Sequence, residues 1–252
     1  MPGSSFEELL AEGASIPVDG WDFSWFEGRA TEERPSWAYA KVISARMRTS
    51  SVALDVQTGG GEVLARIPRP PSVLVATESW LPNLLVAKRT LAPLGAVVVH
   101  AADDGALPFR TGTFDLVVSR HPVVTRWDEI SRVLAPGGAF LSQQVGVGSV
   151  RELADYLMGP QPVSDVRNPR RAVSAAESAG LVVTYLREQS LETVFYDIAA
   201  VVHFLRKVIW IVPGFTVDRY RDRLAALHDH IEREGSFVAH AQRFLIEARK
   251  PD

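Results

Sequence analysis

One stretch constrains the fold of this chain more than any other: Leu54-Asp55-Val56-Gln57-Thr58-Gly59-Gly60-Gly61-Glu62. The apolar run at residues 51–56 carries an acid near its end and gives way to a glycine cluster, and a new segment opens at Glu62. That order reads as strand, tight turn and helix start. Glycines there let the backbone adopt φ > 0 and let a ligand lie against it with no Cβ in the way. A second apolar run, residues 72–77, ends in another acid, Glu78. An acid at the tip of the second strand of a βαβ unit is placed to accept hydrogen bonds from ribose hydroxyls. Together the two signals point to a nucleoside-containing cofactor.

The remainder continues the alternation. Residues 51–56, 72–77, 96–100, 114–119, 139–145, 181–188 and 243–249 read as strands rich in Val, Leu and Phe. Residues 62–67, 81–91 and 126–134 carry helical spacing between them. Such alternation predicts an α/β fold, a mostly parallel sheet with helices on both faces. Two segments stand outside it. Residues 1–50 are predicted to form an N-terminal cap, with a helix over residues 1–12 and the aromatic residues Trp21, Trp25, Trp37 and Tyr39. Residues 190–242 read as a helical insertion between the last two strands, a lid on the substrate side. Its helices span 193–207 and 217–234 and are broken apart by Pro213-Gly214. The core is then 51–189 plus 243–252.

Composition bounds the function classes. The 252-residue chain has 27 basic and 30 acidic side chains, a net charge of −3. It lacks the overall basic footprint of nucleic-acid binders, so a nucleic-acid partner is not expected. The clusters Arg167, Arg170, Arg171 and Arg219, Arg221, Arg223 read as solvated surface. There are no cysteines, which excludes disulfides and thiolate chemistry. The longest apolar stretch, 198–212, is interrupted by His203, Arg206 and Lys207 and is too short and charged for a membrane span. No basic segment followed by an apolar core opens the chain, so a cytoplasmic protein is expected. Spacings of Asp, Glu and His suggest no metal site.

Five ordered elements carry a family resemblance: the glycine loop 55–61; Glu78; Asp103-Asp104-Gly105-Ala106-Leu107-Pro108-Phe109; Phe114-Asp115-Leu116-Val117-Val118-Ser119; and residues 129–140 with Pro136-Gly137-Gly138. In this set the chain resembles class I S-adenosylmethionine-dependent methyltransferases over residues 50–250. Ala76–Asn83, Ser119-Arg120-His121 and Gln143–Gly146 are similar to a subgroup of bacterial methyltransferase-domain proteins with no settled substrate. The resemblance implies a Rossmann-like seven-stranded sheet whose last strand is antiparallel, S-adenosylmethionine as cofactor, and methyl transfer to O or N of a small or medium-sized molecule. The alternatives are an RNA methyltransferase and a non-catalytic cofactor-binding sensor or partner protein.

On this reading Gly59 and Gly61 pass close to the cofactor's methionine part, and amides entering the helix at Glu62 face its carboxylate. Asp55 holds the loop or the ammonium group, and Glu78 the ribose. Asp103 or Asp104 meets the adenine, and Ser119 lies at the carboxyl end of the fourth core strand, where open α/β sheets place ligands. Gln57 stands where the family has glycine: either it hydrogen-bonds the methionine end or it weakens cofactor binding. His121 is the candidate general base, with Arg120 beside it, or both fix local structure by hydrogen bonds or contact the cofactor. Trp25, Tyr196, His203 and Trp210 are candidates for an acceptor pocket. Tyr196 and His203, seven residues apart, can share a helix face, either as a buried polar pair or with His203 as a base.

Overall fold

The computed structural model describes residues 5–20 and 22–252. Trp21 and the first four residues of the predicted N-terminal helix lie outside the described residues. In chain order the elements are α1 (Phe6–Ser15), β1 (Ala30–Glu32), α2 (Tyr39–Met47), β2 (Val52–Val56), β3 (Val73–Glu78), α3 (Leu81–Leu91), β4 (Val97–His100), β5 (Phe114–Arg120), α4 (Trp127–Val133), β6 (Leu134–Val145), α5 (Arg151–Met158), α6 (Pro169–Ser178), β7 (Val182–Phe195), α7 (Ile198–Lys207), α8 (Val217–Glu234) and β8 (Phe237–Arg249).

Among the described residues these strands form one eight-stranded sheet in the order β1-β7-β8-β6-β5-β2-β3-β4. The five strands from β6 to β4 are parallel, whereas β8 runs antiparallel to both its neighbours. This is the Rossmann-like arrangement expected, with β1 added antiparallel on the β7 edge. Parallel strands are covered on both faces, so they are apolar throughout. Ala53, Leu54, Val117 and Val118 are all fully buried. One face packs on Ile43, Met47, Leu64 and Leu91, the other on Ile130, Val133, Ala176 and Leu181.

Helices 81–91 and 217–234 lie where their spacing predicted. Thr216 caps α8 by accepting from the Arg219 amide, and Gly235 closes it with φ +83°. Elsewhere the boundaries move. The helix expected at 62–67 is a single 3₁₀ turn, Leu64–Arg66. The residue before a proline is driven out of the α region, and Ile67 before Pro68 is extended. The helix expected from residue 193 begins at Ile198, because Asp197 caps it by accepting from the Ala200 amide at 2.7 Å. Thr193, Val194 and Phe195 instead stay in β7, paired with Ala239, Val238 and Phe237. Strands β7 and β8 are thus longer than their sequence signals. Their outer halves carry a third core in which α1, α7 and α8 meet through Leu10, Val202, Leu205, Leu224 and Leu227.

Candidate active site

The carboxyl ends of β2, β3, β4 and β5 bound a crevice of about 410 Å³, open solvent at its mouth included. It is lined from the strand ends by Val56, Thr77 and Ser119, from the segment after β4 by Ala101, Ala102, Asp103, Gly105 and Leu107, and from the loop after β5 by Pro122, Val124, Thr125 and Arg126, with Gln57 also on its lining. Asp103 faces it, accepting from Ser79 Oγ at 2.9 Å, and burial raises its carboxyl above the usual range. Asp104 is exposed, and its carbonyl accepts from Arg126 at the rim. The two acids that the sequence left as alternatives thus have different surroundings, Asp103 on the crevice wall and Asp104 in solvent.

The glycine turn is tied down by the protein itself. Glu78 is buried and accepts from the amides of Gly59, Ser79 and Trp80 at 2.8, 3.0 and 2.9 Å. Burial raises its carboxyl, and these bonds partly offset the rise. Gly61 has φ +82°, and a Cβ there would meet the Leu91 side chain at 2.8 Å, so packing alone already demands glycine. Asp55 is buried beneath the turn, and its carboxyl is pushed up to about 7, chiefly by lost hydration and further by Glu78. Ser119 is buried too, its hydroxyl donating to Val56 O at 2.9 Å.

Gln57 crosses the crevice. Its backbone sits at φ +59°, left-handed for a residue with a side chain. Its Nε2 donates to Val124 O at 2.7 Å, and its Oε1 accepts from the Val123 amide at 2.6 Å. Both ends of the amide are engaged, so the side chain clasps the glycine turn to the loop after β5. An adenosyl group suits the chemistry of the lower crevice, with Asp103 among small and apolar walls. A ligand reaching from the crevice across the glycine turn would meet the Gln57 clasp, and beyond the turn a single 3₁₀ turn, Leu64–Arg66, would present amides to it.

At the carboxyl ends of β5 and β6 lies a network the sequence did not reveal. Trp37 Nε1 donates to Gln143 Oε1 at 2.7 Å, and Gln143 Nε2 lies 2.8 Å from His121 Nε2. Indole nitrogen only donates, which orients the Gln143 amide; its NH₂ then faces His121, so that ring nitrogen accepts and the proton sits on Nδ1. Loss of hydration, then the charges of Arg120, Arg243 and Arg167, hold His121 well below the ordinary histidine range. His121 is neutral with its lone pair engaged, so acting as a base requires this chain to open. Tyr39 Oη donates to Ser119 O at 2.9 Å, so residues 37–39 strap the ends of β5 and β6. Nothing in the local sequence marks Gln143 or Arg243 as neighbours of His121; strand register puts them there.

The other pocket candidates divide. Trp210 lies beneath the Arg167 guanidinium, 5.3 Å from its ring centre. His203 is buried between Trp25 and Phe26, with ring centres 5.0 Å away in each case. Tyr196 is exposed outside α7, so the Tyr196–His203 juxtaposition does not form. Among the described residues no cluster of three acids or histidines could hold a metal ion, and no helix is long and apolar enough to cross a membrane.

Residues 54–142 match the family model described as "Methyltransferase domain". No curated protein matches the sequence. Among solved structures the chain is similar to a protein assigned as a methyltransferase from Bacillus halodurans C-125, at TM-score 0.60 and 18% identity over 86% of this chain and 99% of that one. It is similar also to the YcgJ protein of Bacillus subtilis, at 0.58 and 14% over 84% and 98%. The [4+2]-cyclase SpnF shares the fold at 0.54 and 15% over 96% and 91%. Residues 54–142 thus match a methyltransferase-domain model, and the chain has the fold of these solved structures.

Proposed function

We propose that the protein is an S-adenosylmethionine-dependent methyltransferase acting on an O or N atom of a small or medium-sized molecule. The observation that carries this reading is the crevice at the strand tips, with Asp103 on its wall and Glu78 beside the glycine turn. When bound, the cofactor supplies an electrophilic methyl group on a sulfonium. The chain's own part is to hold and orient. Asp103 accepts from the adenine amine, Glu78 from the ribose, and the strap at Trp37 and Tyr39 keeps water from the ends of β5 and β6. Positioning and exclusion of water supply most of what an in-line displacement needs.

A second reading, a cofactor-binding protein without catalysis, is favoured by the Gln57 clasp and the engaged lone pair of His121. The likeness to SpnF, a cyclase, is in keeping with chemistry other than methyl transfer on this fold. An RNA substrate gains less support. Arg171 pairs with Asp165, Arg221 pairs with Glu7, and Arg219 lies over Tyr220.

Calorimetry with S-adenosylmethionine and its demethylated product tests both leading readings. Binding is expected, and Glu78→Ala should weaken it by about 1–3 kcal/mol through lost charged hydrogen bonds. No heat with either ligand removes both. A labelled-methyl screen against metabolite extract and total RNA then divides catalysis from binding alone.

A further inference from the structure

We propose that a basic groove between α2 and the connection from β2 to β3 docks an acidic α-helix of a partner protein. α2 turns Tyr39, Ile43 and Met47 into the core on one face of the sheet, and the connection turns Leu64 and Ile67 into the same cluster. Leu107 and Ile130 of the crevice belong to the core on the opposite face. Outside the inward residues lies a groove of about 1050 Å³, open solvent included. Lys41, Ser44, Ala45 and Arg48 line it from α2 and its cap, Arg66 and Arg69 from the connection, and no acid is on its lining. The room is there because a helix is missing. A crossover between parallel strands usually carries an α-helix, whereas this one has a single 3₁₀ turn, Leu64–Arg66. A helix about 10 Å across and two turns long fills roughly 850 Å³, so the groove can hold one.

The charges set what kind of helix fits. The side chains of Lys41, Arg48, Arg66 and Arg69 are exposed and make no hydrogen bond or ion pair among the described residues. Arg46 of the same helix is taken up by Glu247. Lys41 and Arg48 are two turns apart on one face of α2, a spacing of about 10 Å. Acids two turns apart on a partner helix match it, and the small side chains of Ser44 and Ala45 between them allow close approach. Guanidinium groups also suit carboxylates, which they can bind through two parallel bonds. Residues 34–54 and 63–77 contain several cations and no acid, yet the chain as a whole has a net charge of −3. The positive field is therefore local, and it suits a short acidic element. A nucleic-acid strand would run on from the groove over a surface where acids prevail, and no aromatic side chain lines the groove to stack a base. The cations are exposed and spread out, so a lone phosphate finds no cradle. Docking here requires neither methyl transfer nor a bound cofactor.

The test is fluorescence anisotropy of the full chain with a labelled alanine-based peptide of about fifteen residues, long enough to form a helix, with glutamates two turns apart. Saturable binding is expected, and the same peptide with a central proline, which breaks the helix, should bind at least about tenfold more weakly. Lys41→Glu, Arg48→Glu and Arg66→Glu should each weaken binding about tenfold by setting like charges against each other. Ala45→Trp fills the groove without changing its charge and should weaken binding as well. Arg171→Glu reverses the charge of an arginine paired with Asp165 and should change nothing. All five substituted side chains are exposed, so the variants keep the fold. Absence of saturable binding overturns the docking site. Equal binding of the proline peptide, full affinity in Ala45→Trp, or a loss in Arg171→Glu as large as in Arg48→Glu would each overturn it too, since each means diffuse charge attraction without a docked helix. Displacement of the peptide by an RNA duplex or by sodium tripolyphosphate at lower concentration than by unlabelled peptide would assign the groove to a phosphate ligand instead.

Discussion

At the scale of single residues, Gln57 decides how the crevice opens. Its two hydrogen bonds to the loop after β5 must break before a ligand can lie across the glycine turn. Each such bond is worth about 0.5–1.5 kcal/mol net. Gln57→Gly also suits the φ of +59°. This variant is expected to bind S-adenosylmethionine about tenfold more tightly, because the closed state no longer competes. Calorimetry measures it, and an unchanged or weaker affinity would show that the clasp is not a barrier. His203 gives a pH dependence. Burial, then Lys207 and Arg206, depress it to about 4, against about 6.5 in an unfolded chain. The folded state thus excludes a proton that the unfolded state binds. The stability from this group is whole above about pH 6.5 and declines as pH falls toward the folded value, by up to about 3 kcal/mol. His203→Phe, which suits the ring pair Trp25 and Phe26, should flatten that acid limb. Urea midpoints at neutral pH and below pH 5 compare the two, and equal losses in wild type and variant would clear His203 as the cause.

Among the elements, α8 was legible from residue pattern alone. Tyr220, Leu224, Leu227 and Ile231 are its buried stripe, and Thr216 and Gly235 are its ends. Its cap is local and measurable: Thr216→Ala should cost about 1 kcal/mol, seen as a melting temperature about 2–4 °C lower. No change would mean that tertiary packing alone sets the start of the helix. The segment after the glycine turn shows the opposite case. The spacing at 62–67 favoured a helix, yet Pro68 comes too soon for even two α turns to form. Residues 193–195 also misled. Their apolar spacing continues that of the helix that follows, whereas pairing with residues 237–239 holds them in a strand. Such pairing joins positions more than forty residues apart, and a local window carries no trace of it.

For the whole molecule, the sheet is the rigid frame and the strap and the 159–168 connection are its margins. Slow amide exchange is expected in β2, β5 and β6, whose residues are largely buried, and fast exchange in the exposed residues 160–166. Uniform protection across both would contradict the division. The same frame explains how much of the site could be read in advance. Asp55, Glu78, Asp103 and Ser119 follow directly from strand ends, so the alternation of strands and helices placed them together without knowledge of packing. Residues 30–39 had no such signal, yet Glu32, Ser36, Trp37 and Tyr39 reach Arg243, Gln189, Gln143 and Ser119 respectively.

Apolar periodicity and turn chemistry in the chain alone determined the architecture, the position of the crevice and the acids at the strand ends around it, because those depend on local backbone preference and on which faces must leave water. Only the tertiary structure decided that Gln57 ties the glycine turn to the loop after β5, that His121 offers a proton rather than a lone pair, and that Trp37 reaches Gln143. Each of these depends on which distant side chain arrives within hydrogen-bonding distance, and that is set by strand register and by the path of residues 30–39.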